Sequence, residues 1–398
     1  MVGGTRRGGA RALVGLVLGA AAVALGGRAV RADDGGAAWD PARTWVVCVG
    51  VLRWNDPGMT TFPQEDRRDA ELVALLRERG VPANRITYLQ DEKATAAAVR
   101  AALDRAAVAT RPGDLLVVYY TGHGARGEDG RTAFQPFDAA KAPETQWSVQ
   151  EVFDAIEAKA KADRALLIAD CCYSGDLVVE ARRRPAGRVA WSCLASSQAS
   201  EPSTGRWTYT EQLLAALRGE PAFDADGDGQ VELSELARAA EAEMAFAEQQ
   251  LTDFLRAPAF PDLTLAPARG PRAGNGPERV EALWKGTWYR ATVLERDGQR
   301  ARVRYAGFGA EWDEWVGPDR LRPHAPVRHP AGAKVEVRWK KSWYAATVLE
   351  ERQGIHRIHY DGWSDVWDEW VPGDRIRPRG GAAEGAPGGG RRPGRDRR

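Results

Sequence analysis

Continuous apolar runs that alternate with helix-spaced segments constrain the first two thirds of this chain more than any other feature. The segments "TWVVCVGVL", "DLLVVYYTGHG", "RALLIADCC" and "RVAWSCLASS" are apolar and rich in β-branched residues, which is typical of strands buried on both faces. Helical spacing fills the intervals, as in "RRDAELVALLRERG" and "SVQEVFDAIEAKAKA". Strands separated by helices predict an α/β domain at 40–268, with a mostly parallel sheet and helices on both faces.

A repeat follows a Pro/Gly-rich linker at 269–277. The segment "VEALWKGTWYRATVLE" returns as "VEVRWKKSWYAATVLE", and "EWDEWVGPDRLRP" returns as "VWDEWVPGDRIRP", with the same offset and no gaps. Apolar and polar residues alternate over short segments in each copy. The repeat therefore predicts two small all-β, SH3-like barrels at 278–324 and 333–379, and two copies are too few for a solenoid.

The two ends of the chain do not have the pattern of a folded domain. Two arginines precede the apolar run "ALVGLVLGAAAVALGG", which predicts a secretory signal peptide at 1–32 and export to the periplasm or the outside of the cell. An uncleaved membrane anchor is the alternative, and no later segment predicts a transmembrane helix. The tail at 380–398 is basic and rich in Gly, Pro and Arg, which favours disorder.

Four cysteines are too few for a disulfide scaffold, and CxxC spacing of the metal-binding kind is absent. Cys171 and Cys172 end one buried run, and His123 ends another between two glycines. Because the carboxyl ends of parallel strands meet at one edge of a sheet, we expect these side chains to lie close together. A cysteine nucleophile needs a base to form its thiolate, and a free N–H of Gly124 is suited to an oxyanion hole.

The motifs "YYTGHGA" and "DCCYSG" resemble those of the caspase-like cysteine peptidases, and most closely the metacaspases, over roughly residues 42–268. The family pattern Asp-x-Cys-x-Ser-Gly aligns Cys172 with the nucleophile and Cys171 with the variable position. The resemblance implies that His123 is the general base and that the N–H groups of Gly124 and Cys172 bind the oxyanion. Side chains alternate along a strand, so Cys171 is expected to be a small core residue on the other face.

The same resemblance implies a preference for basic residues at the cleaved position. Asp170 matches the acidic residue that lines the P1 pocket of metacaspases, and Asp69 matches a second acidic position that helps to orient the pocket. A carboxylate in this pocket selects Lys or Arg rather than Asp at P1, because burying a second negative charge beside the first costs several kcal/mol. The expected substrates are therefore proteins or peptides with basic P1 residues. The alternative is a catalytically silent caspase-like scaffold.

A basic segment, "EARRRPAGR" at 180–188, follows the nucleophile closely. By analogy with the family we hypothesise self-cleavage after Arg182, Arg183 or Arg188, since Pro185 disfavours cleavage after Arg184. The alternative interpretation is a solvated basic loop.

The segment "DADGDGQVELSE" at 224–235 fits a calcium-binding loop. Gly229 is placed for the sharp turn, and the helix that precedes such a loop is interrupted here by "GEPAF". An acidic turn without an ion is the alternative, and the sequence does not distinguish a calcium switch from a structural ion. The positions that bind Ca²⁺ in such loops are occupied by Asp224, Asp226, Asp228, Gln230 (through its carbonyl oxygen) and Glu235.

The Trp-rich copies resemble the Tudor-knot or chromo-barrel group, whose members place aromatic residues around one end of the barrel as a cage for methylated lysine. The resemblance implies a cage that takes cations by cation–π attraction. We expect cationic or methyl-lysine peptides as ligands and hold nucleic-acid binding as the second interpretation; the net charge of +1 favours neither. The first copy departs from the pattern, with Phe308 in place of the Trp of "YDGW". The cage positions are Tyr289, Tyr305, Phe308 and Trp312 in the first copy and Tyr344, Tyr360, Trp363 and Trp367 in the second, with Trp315 and Trp370 as further candidates.

Overall fold

The structure is a computed structural model that describes residues 37–127, 129–270 and 277–379. The predicted signal peptide and the predicted basic tail lie outside these ranges. The helices are α1 (Arg68–Glu78), α2 (Ala96–Ala109), α3 (Val149–Lys159), α4 (Asp176–Arg183), α5 (Thr208–Leu217) and α6 (Leu233–Ala247). The strands of the α/β region are β1 (Ala37–Ala38), β2 (Thr44–Gly50), β3 (Ile86–Gln90), β4 (Leu115–Thr121), β5 (Gly124–Arg126), β6 (Thr132–Phe134), β7 (Trp147–Ser148), β8 (Arg164–Asp170), β9 (Ala190–Ala195), β10 (Gln230–Glu232), β11 (Asp253–Arg256) and β12 (Leu263–Pro267).

A six-stranded sheet in the order β11-β9-β8-β4-β2-β3 forms the centre of this region. All neighbouring pairs are parallel except β11, which runs antiparallel to β9 at one edge. This arrangement confirms the predicted caspase-like α/β fold. The last residues of two neighbouring strands, Thr121 and Asp170, lie side by side. Residues that follow β4 and β8 therefore emerge together at the same edge.

The central strands are apolar throughout because both of their faces are covered. Val47 and Val49 of β2 pack into one core with α2, α3 and α4, whereas Val46 and Cys48 pack into the opposite core with α1, α5 and α6. Alternate residues of a strand point to opposite faces, so one continuous apolar run supplies both cores.

The cysteines are not disulfide-bonded: Cys48, Cys171, Cys172 and Cys193 are all free thiols. The two most distant in the sheet are Cys48 on β2 and Cys193 on β9, with β4 and β8 between them. Three strand spacings amount to about 14 Å, well beyond the reach of a disulfide.

Two small sheets flank the central one. The strand β5, which directly follows His123, forms the antiparallel sheet β5-β6-β7. The strand β10 closes the acidic loop by pairing with β12 in the sheet β1-β12-β10. Both small sheets therefore hold segments in which the sequence predicts functional residues.

Each repeat copy forms a five-stranded antiparallel sheet, which confirms the two predicted barrels. The strands are β13 (Arg279–Trp284), β14 (Thr287–Asp297), β15 (Arg300–Tyr305), β16 (Glu314–Val316) and β17 (Leu321–Pro323) in the first barrel, and β18 (Lys334–Trp339), β19 (Ser342–Arg352), β20 (Ile355–Tyr360), β21 (Glu369–Pro372) and β22 (Ile376–Pro378) in the second. The orders β16-β15-β14-β13-β17 and β21-β20-β19-β18-β22 are equivalent, and each copy has a register shift at the matching place, after Val293 and after Val348.

Both barrels contact α6 and the residues that follow it. In the first barrel, Arg279 forms an ion pair with Glu243 at 3.1 Å, and its guanidinium lies 4.9 Å from the ring centroid of Phe246. In the second barrel, Arg352 pairs with Glu241 of the same helix. The two barrels are therefore anchored through one helix. In the part of the chain that the structure describes, no helix is long and apolar enough to cross a membrane.

Candidate active site

His123 lies two residues beyond β4, with its ring between two aromatic side chains. The ring centroids of Trp54 and Phe62 lie 4.3 and 4.7 Å from that of the histidine. The Nε2 atom lies 2.7 Å from the carbonyl oxygen of Thr60. A carbonyl only accepts hydrogen bonds, so Nε2 carries the proton and Nδ1 is the basic nitrogen. Burial lowers the pKa of His123 below its ordinary value, which favours the neutral imidazole.

The backbone around His123 is fixed by a buried tyrosine and a glycine. The Tyr120 hydroxyl donates to the carbonyl oxygen of His123 at 2.7 Å, and its ring stacks on Phe134 with centroids 4.2 Å apart. Gly122 has φ +145°, and a Cβ atom there would lie 2.7 Å from the carbonyl oxygen of Val51. Only glycine fits at this position. The Tyr120 hydrogen bond then holds the backbone of His123 in place.

Cys172 lies two residues beyond β8 with a half-buried thiol. The backbone N–H of Ser203 donates to its Sγ at 3.2 Å. Burial raises the pKa of the thiol, and this hydrogen bond opposes the increase. The thiol is therefore mainly protonated near neutral pH and needs a base before it can act as a nucleophile.

The turn after Cys172 is clamped to the loop that follows β9. Tyr173 has φ 61°, a strained value for a non-glycine residue, and its N–H donates to the carbonyl oxygen of Glu201 at 2.9 Å. The N–H groups of Ser174 and Ser197 donate to each other's hydroxyl oxygens at 3.1 and 3.0 Å, and the Ser197 hydroxyl donates to the carbonyl oxygen of Cys171 at 3.1 Å. These bonds hold the unusual backbone that carries the candidate nucleophile.

The segments that carry histidine and cysteine approach each other closely at Gly124. A Cβ atom on Gly124 would lie 2.1 Å from the carbonyl oxygen of Cys172, so a larger residue would push the two segments apart. His123 and Cys172 also line the same cleft, whose volume is about 1800 Å³. The structure thus brings His123, Gly124 and Cys172 together, as the sequence predicts. Cys171 is buried in the core.

Asp170 lines this cleft as well, directly before the two cysteines. Its carboxylate accepts a hydrogen bond from the Thr210 hydroxyl at 2.7 Å, and that hydroxyl lies 2.7 Å from the Tyr119 hydroxyl. Burial raises the pKa of Asp170 to about 6. The cleft therefore contains a carboxylate next to the candidate nucleophile that is mostly charged at neutral pH and becomes neutral in mild acid.

Asp69 does not line this cleft; the structure buries it under the loop after β2. Arg67 contacts its carboxylate at 2.8 Å, and the Tyr88 hydroxyl donates to it at 2.7 Å. The same guanidinium contacts Asp91 at 2.6 Å, and Asp91 in turn accepts from the N–H of Leu52, a residue of the cleft wall. Asp69 therefore takes part in a charge network behind the cleft rather than facing it.

The basic segment after the nucleophile begins as the end of a helix and continues as a loop. Arg182 and Arg183 belong to α4, and Arg184 is anchored between Glu180 and Glu157 at 2.7 Å from each. Arg188 donates to the carbonyl oxygen of Ala162 at 3.0 Å. The solvated loop considered in the sequence interpretation is limited to the exposed residues 185–188, which include Arg188, whereas cleavage after Arg182 or Arg183 requires α4 to unwind locally.

The acidic loop brings three of its predicted ligands together. Carboxylate oxygens of Asp224, Asp226 and Glu235 all lie within 4.8 Å of one another. Asp228 stands apart from this group, where it accepts from the N–H of Gln230 at 2.8 Å, and Gln230 is the first residue of β10. Three converging carboxylates are a donor set that fits a hard cation such as Ca²⁺.

Two further observations describe the crowding of negative charge in the loop. Asp224 and Glu235 are nearly inaccessible to solvent, although both are carboxylates. Burial, together with the neighbouring Glu235, raises the pKa of Glu232 to about 8. As predicted, no regular α-helix leads into the loop: α5 ends at Leu217, and only a short 3₁₀ turn at Pro221–Phe223 precedes Asp224.

The first barrel has a box of five aromatic rings at one end. Tyr289 lies 5.9 Å from Trp284 and 6.0 Å from both Tyr305 and Phe308. Trp312 lies 5.9 Å from Trp284 and 6.2 Å from Phe308. Neighbouring rings are steeply inclined to each other, so their faces form walls around a small space. We call this group the first cage.

The second barrel has an equivalent group, the second cage. Tyr344 lies 6.2 Å from Trp339 and 6.1 Å from Tyr360, and Trp363 lies 6.2 Å from Trp367. Trp284 and Trp339 do not figure in the sequence prediction. The signal for them was present, because both precede a lysine at the same place in the two copies.

Trp315 and Trp370, the further cage candidates, have other contacts. The Arg300 guanidinium lies 5.5 Å from the ring centroid of Trp315, on the strands outside the cage. Trp370 packs against a small cluster that includes Leu251 and Ile355, between the second barrel and the end of α6. Their alternating positions on β16 and β21 point them away from the cages, which corrects their inclusion as candidates.

Comparison with known proteins assigns each of these regions to a family. Residues 63–262, half of the chain, match the model of the caspase domain. The chain therefore belongs to the caspase-domain family. Residues 278–326 match the Agenet domain, and residues 330–378 match the Tudor-knot family, described as the RNA binding activity-knot of a chromodomain. These matches confirm a caspase-like domain followed by two Tudor-type barrels, the first of which matches the Agenet model.

One curated relative is the chromatin modification-related protein EAF3 of Eremothecium gossypii, which is 35% identical over 60 residues. This match covers 15% of each chain. Among solved structures, a structural-genomics protein from Geobacter sulfurreducens is 18% identical, with a TM-score of 0.43, covering 57% of this chain and 100% of that one.

Two caspases are also similar. The Drosophila initiator caspase Dronc is 12% identical, with a TM-score of 0.36, covering 57% of this chain and 84% of that one. Caspase-1 from Spodoptera frugiperda is 11% identical, with a TM-score of 0.36, covering 58% and 92%.

Proposed function

We propose that the protein is a cysteine endopeptidase that cleaves after Arg or Lys, with Cys172 as nucleophile and His123 as general base. The observation that carries this proposal is the approach at Gly124, which brings the histidine and cysteine segments together at one cleft. Membership of the caspase-domain family supports the same reaction. A rigid support on each side of the cleft fits catalytic residues that must keep a fixed geometry.

The proposed reaction uses the tautomer described above. Nδ1 of His123 takes the proton from the Cys172 thiol, and Sγ attacks the carbonyl carbon of the scissile peptide bond. The N–H groups of Gly124 and Cys172 donate to the oxyanion. The imidazolium then protonates the leaving amine as the C–N bond breaks, and water activated by the same Nδ1 hydrolyses the thioester.

Asp170 is the proposed source of the preference for a basic P1 residue. It lines the cleft next to Cys172, and a guanidinium or ammonium group there would pair with its carboxylate. Because burial raises the pKa of Asp170 to about 6, this attraction is present above pH 6 and is lost below it. Asp69, already neutralised by Arg67, contributes only through the shape of the cleft wall.

We also propose that the acidic loop binds Ca²⁺ through Asp224, Asp226 and Glu235. Bound calcium would offset two of the three negative charges that otherwise repel one another in a partly buried site. Equilibrium dialysis with ⁴⁵Ca²⁺ tests this directly: we expect one ion per chain, and none after Glu235→Gln. The same loss with Glu220→Gln, a nearby acidic residue outside the loop, would argue against a defined site.

The two barrels are proposed to target the enzyme to cationic or methyl-lysine peptides through their aromatic cages. Steeply inclined rings about 6 Å apart are suited to an alkylammonium group, to which each ring face contributes about 0.5–2 kcal/mol. RNA is the second candidate ligand, because the second barrel matches a family described as RNA-binding. Titration of the full chain with a trimethyl-lysine peptide and with a single-stranded RNA of equal charge magnitude separates the two candidates. We expect tighter binding of the peptide, and tighter binding of the RNA would support the second candidate.

Export is proposed from the N-terminal signal pattern. The observation is the basic and apolar order of residues 1–32. N-terminal sequencing of protein recovered outside the cytoplasm should begin near Asp33. A first residue of Met1 in that fraction would support the uncleaved anchor instead.

The first experiment is hydrolysis of fluorogenic peptides with Arg, Lys or Asp at P1, with calcium and with chelator. We expect turnover on Arg and Lys that is lost in Cys172→Ala and retained in Cys171→Ala. This pair is a matched control, because the two thiols are adjacent but Cys171 is buried and only Cys172 is half-exposed. Calcium dependence of the rate would identify the acidic loop as a switch.

Absence of turnover from a folded protein with calcium present would overturn the enzymatic proposal. The caspase-like domain would then be a silent scaffold, with the barrels as the functional part. Turnover on Asp substrates alone would retain the nucleophile but refute the role of Asp170.

A further inference from the structure

We propose that the first cage is an exosite of the peptidase: it binds a second cationic side chain, Lys or methylated Lys, of the same polypeptide that is cut at Cys172. This inference rests on the proposed peptidase activity and adds a recognition site to it. The observation behind it is continuity, because two rings of the first cage, Tyr305 and Phe308, line the same cleft as His123 and Cys172.

A short segment of backbone connects the two sites. We call residues 202–206 the strap. At one end, the N–H of Ser203 donates to Sγ of Cys172. In the middle, a Cβ atom on Gly205 would lie 3.0 Å from the ring of Phe62, which itself packs on His123.

The far end of the strap lies against the residue that precedes the first-cage ring Phe308. Arg206 lies so close to Gly307 that a Cβ atom there would be 2.0 Å from its guanidinium nitrogen. Gly307 directly precedes the cage residue Phe308. The strap therefore runs along the cleft from the nucleophile to the cage, and a peptide that lies along it reaches both.

The strap is held in place and offers no strong barrier to a positively charged peptide. Gln250 accepts from the N–H of Thr204 at 3.1 Å and donates to the Ser203 hydroxyl at 3.2 Å. The Arg206 guanidinium is paired with Glu248 at 3.3 Å. This pairing offsets the single cation of the strap, so the strap itself adds little repulsion toward a cationic peptide.

The first cage itself is suited to an ammonium group. Phe308 and Trp312 are among the most exposed aromatic side chains in the described ranges, with 43% and 48% of their surface accessible. One wall already takes an alkylammonium, because the Lys285 ammonium nitrogen lies 4.5 Å from the ring centroid of Trp284. Phe308, which lines the cleft, and Trp312 beside it would offer further walls to a substrate lysine.

The second cage differs in its surroundings although its barrel has the same fold. None of its rings lines the cleft that holds Cys172 among the described residues. Its Trp363 is the counterpart of Phe308 by position in the repeat. Trp363 is therefore a matched control for Phe308.

The experiment compares two kinds of substrate on the full chain. One is a short fluorogenic peptide with Arg at P1; the other is the same peptide extended to carry a single Lys or trimethyl-Lys about three to ten residues from the scissile bond, the range that an extended chain needs to span a cleft. The readout is the ratio of kcat/KM for the extended and the short peptide. We expect a ratio of about ten at the best spacing and about one when Gln replaces the Lys.

The cage variants then locate the effect. Phe308→Ala should reduce the ratio about fivefold, whereas Trp363→Ala should leave it unchanged. An equal loss in both variants, or no loss in Phe308→Ala, would overturn the proposal. Because Phe308 is exposed, its truncation leaves the barrel core intact, and an unchanged melting curve checks this.

A binding measurement separates failure of the exosite from failure of the peptidase proposal. In the full-length chain carrying Cys172→Ala together with Trp363→Ala and Trp367→Ala, which disable the second cage, the extended peptide should bind about tenfold more tightly than its Gln counterpart, and adding Phe308→Ala should remove the difference. Equal affinities would overturn the exosite whether or not the unmodified chain has activity. Lack of turnover with a retained affinity difference would refute the peptidase alone.

Discussion

The cleft at the edge of the central sheet and the cages of the two barrels recognise their proposed ligands in opposite ways. At the cleft, single atoms carry the proposed chemistry: one thiol, one ring nitrogen and one carboxylate, each on a side chain held by a hydrogen bond of its own. In the cages, several similar ring faces would share the binding of one cation, and no single atom carries it. A single substitution in the cleft should therefore abolish most of the activity, whereas a single substitution in a cage should reduce the affinity only partly.

The sharpest test of the single-atom side is His123→Ala. Loss of the general base should lower kcat by about 10³-fold, since positioned general bases contribute roughly that much. Steady-state hydrolysis of an Arg peptide measures the effect, and His359→Ala, on a strand of the second barrel, is the control. If His123→Ala kept a tenth of the rate, another group would be the base and the contrast would fail.

Asp170→Asn should have the next largest effect. We expect about a 10²-fold decrease in kcat/KM for Arg substrates, because a desolvated charge pair is lost while the shape of the side chain is kept. In the unmodified enzyme kcat/KM should rise with pH through about 6, as the carboxylate ionises with a pKa of about 6. Burial also lowers the pKa of His123 below its ordinary value, and the Asp170→Asn variant separates the two groups.

The rise of kcat/KM near pH 6 supplies the control for that variant. Asp170→Asn should remove this rise while leaving activity on a neutral P1 residue little changed. A rise that persists in the variant would assign the titration to a different group.

A stability comparison separates the two barrels. Trp370→Ala should lower the free energy of unfolding by about 2 kcal/mol, because its ring fills a cluster between the second barrel and the residues after α6. Trp315→Ala, its counterpart in the first barrel, removes a ring that contacts the Arg300 guanidinium and should cost about 0.5 kcal/mol. Urea denaturation followed by circular dichroism measures both. Equal values would mean that the barrels are anchored alike.

The smallest expected effects are in the second cage. Trp363→Ala and Trp367→Ala should each weaken binding of a trimethyl-lysine peptide by about fivefold, and the double variant by more than either. Isothermal titration calorimetry on the full chain gives the affinities. Complete loss of binding in either single variant would show that one ring carries the affinity, and the proposed difference between the cleft and the cages would be wrong.

The sequence predicted the barrels well because the repeat provides its own alignment. A residue type that recurs at the same place in two copies, such as Tyr305 and Tyr360, marks a shared role, and the structure places both in cages. Trp315 and Trp370 recur equally well, yet they lie outside the cages. Recurrence identifies a conserved environment in the barrel, but strand alternation decides which face that environment is on.

The cleft was predictable only in part. The apolar runs and their ends predicted that His123 and Cys172 lie at one edge, since the carboxyl ends of parallel strands meet at the same edge of a sheet. Thr60 and Ser203, which bond to the two groups, contribute backbone atoms, and backbone contacts leave no residue signature. Asp69 shows the reverse: an acidic residue at a suggestive position is buried by Arg67, a partner whose contact depends on the folding of a loop.

The adjacent cysteines have a practical consequence. Of the four thiols in the chain, three are buried within the core and one is half-exposed. Burial also raises the pKa of Cys48 and Cys171 well above the ordinary value. A thiol reagent applied to the native protein should therefore label a single position, and four after denaturation. The stoichiometry of labelling thus counts unfolded molecules without any substrate, and each variant discussed above can be assayed for integrity by its own sulfur atoms.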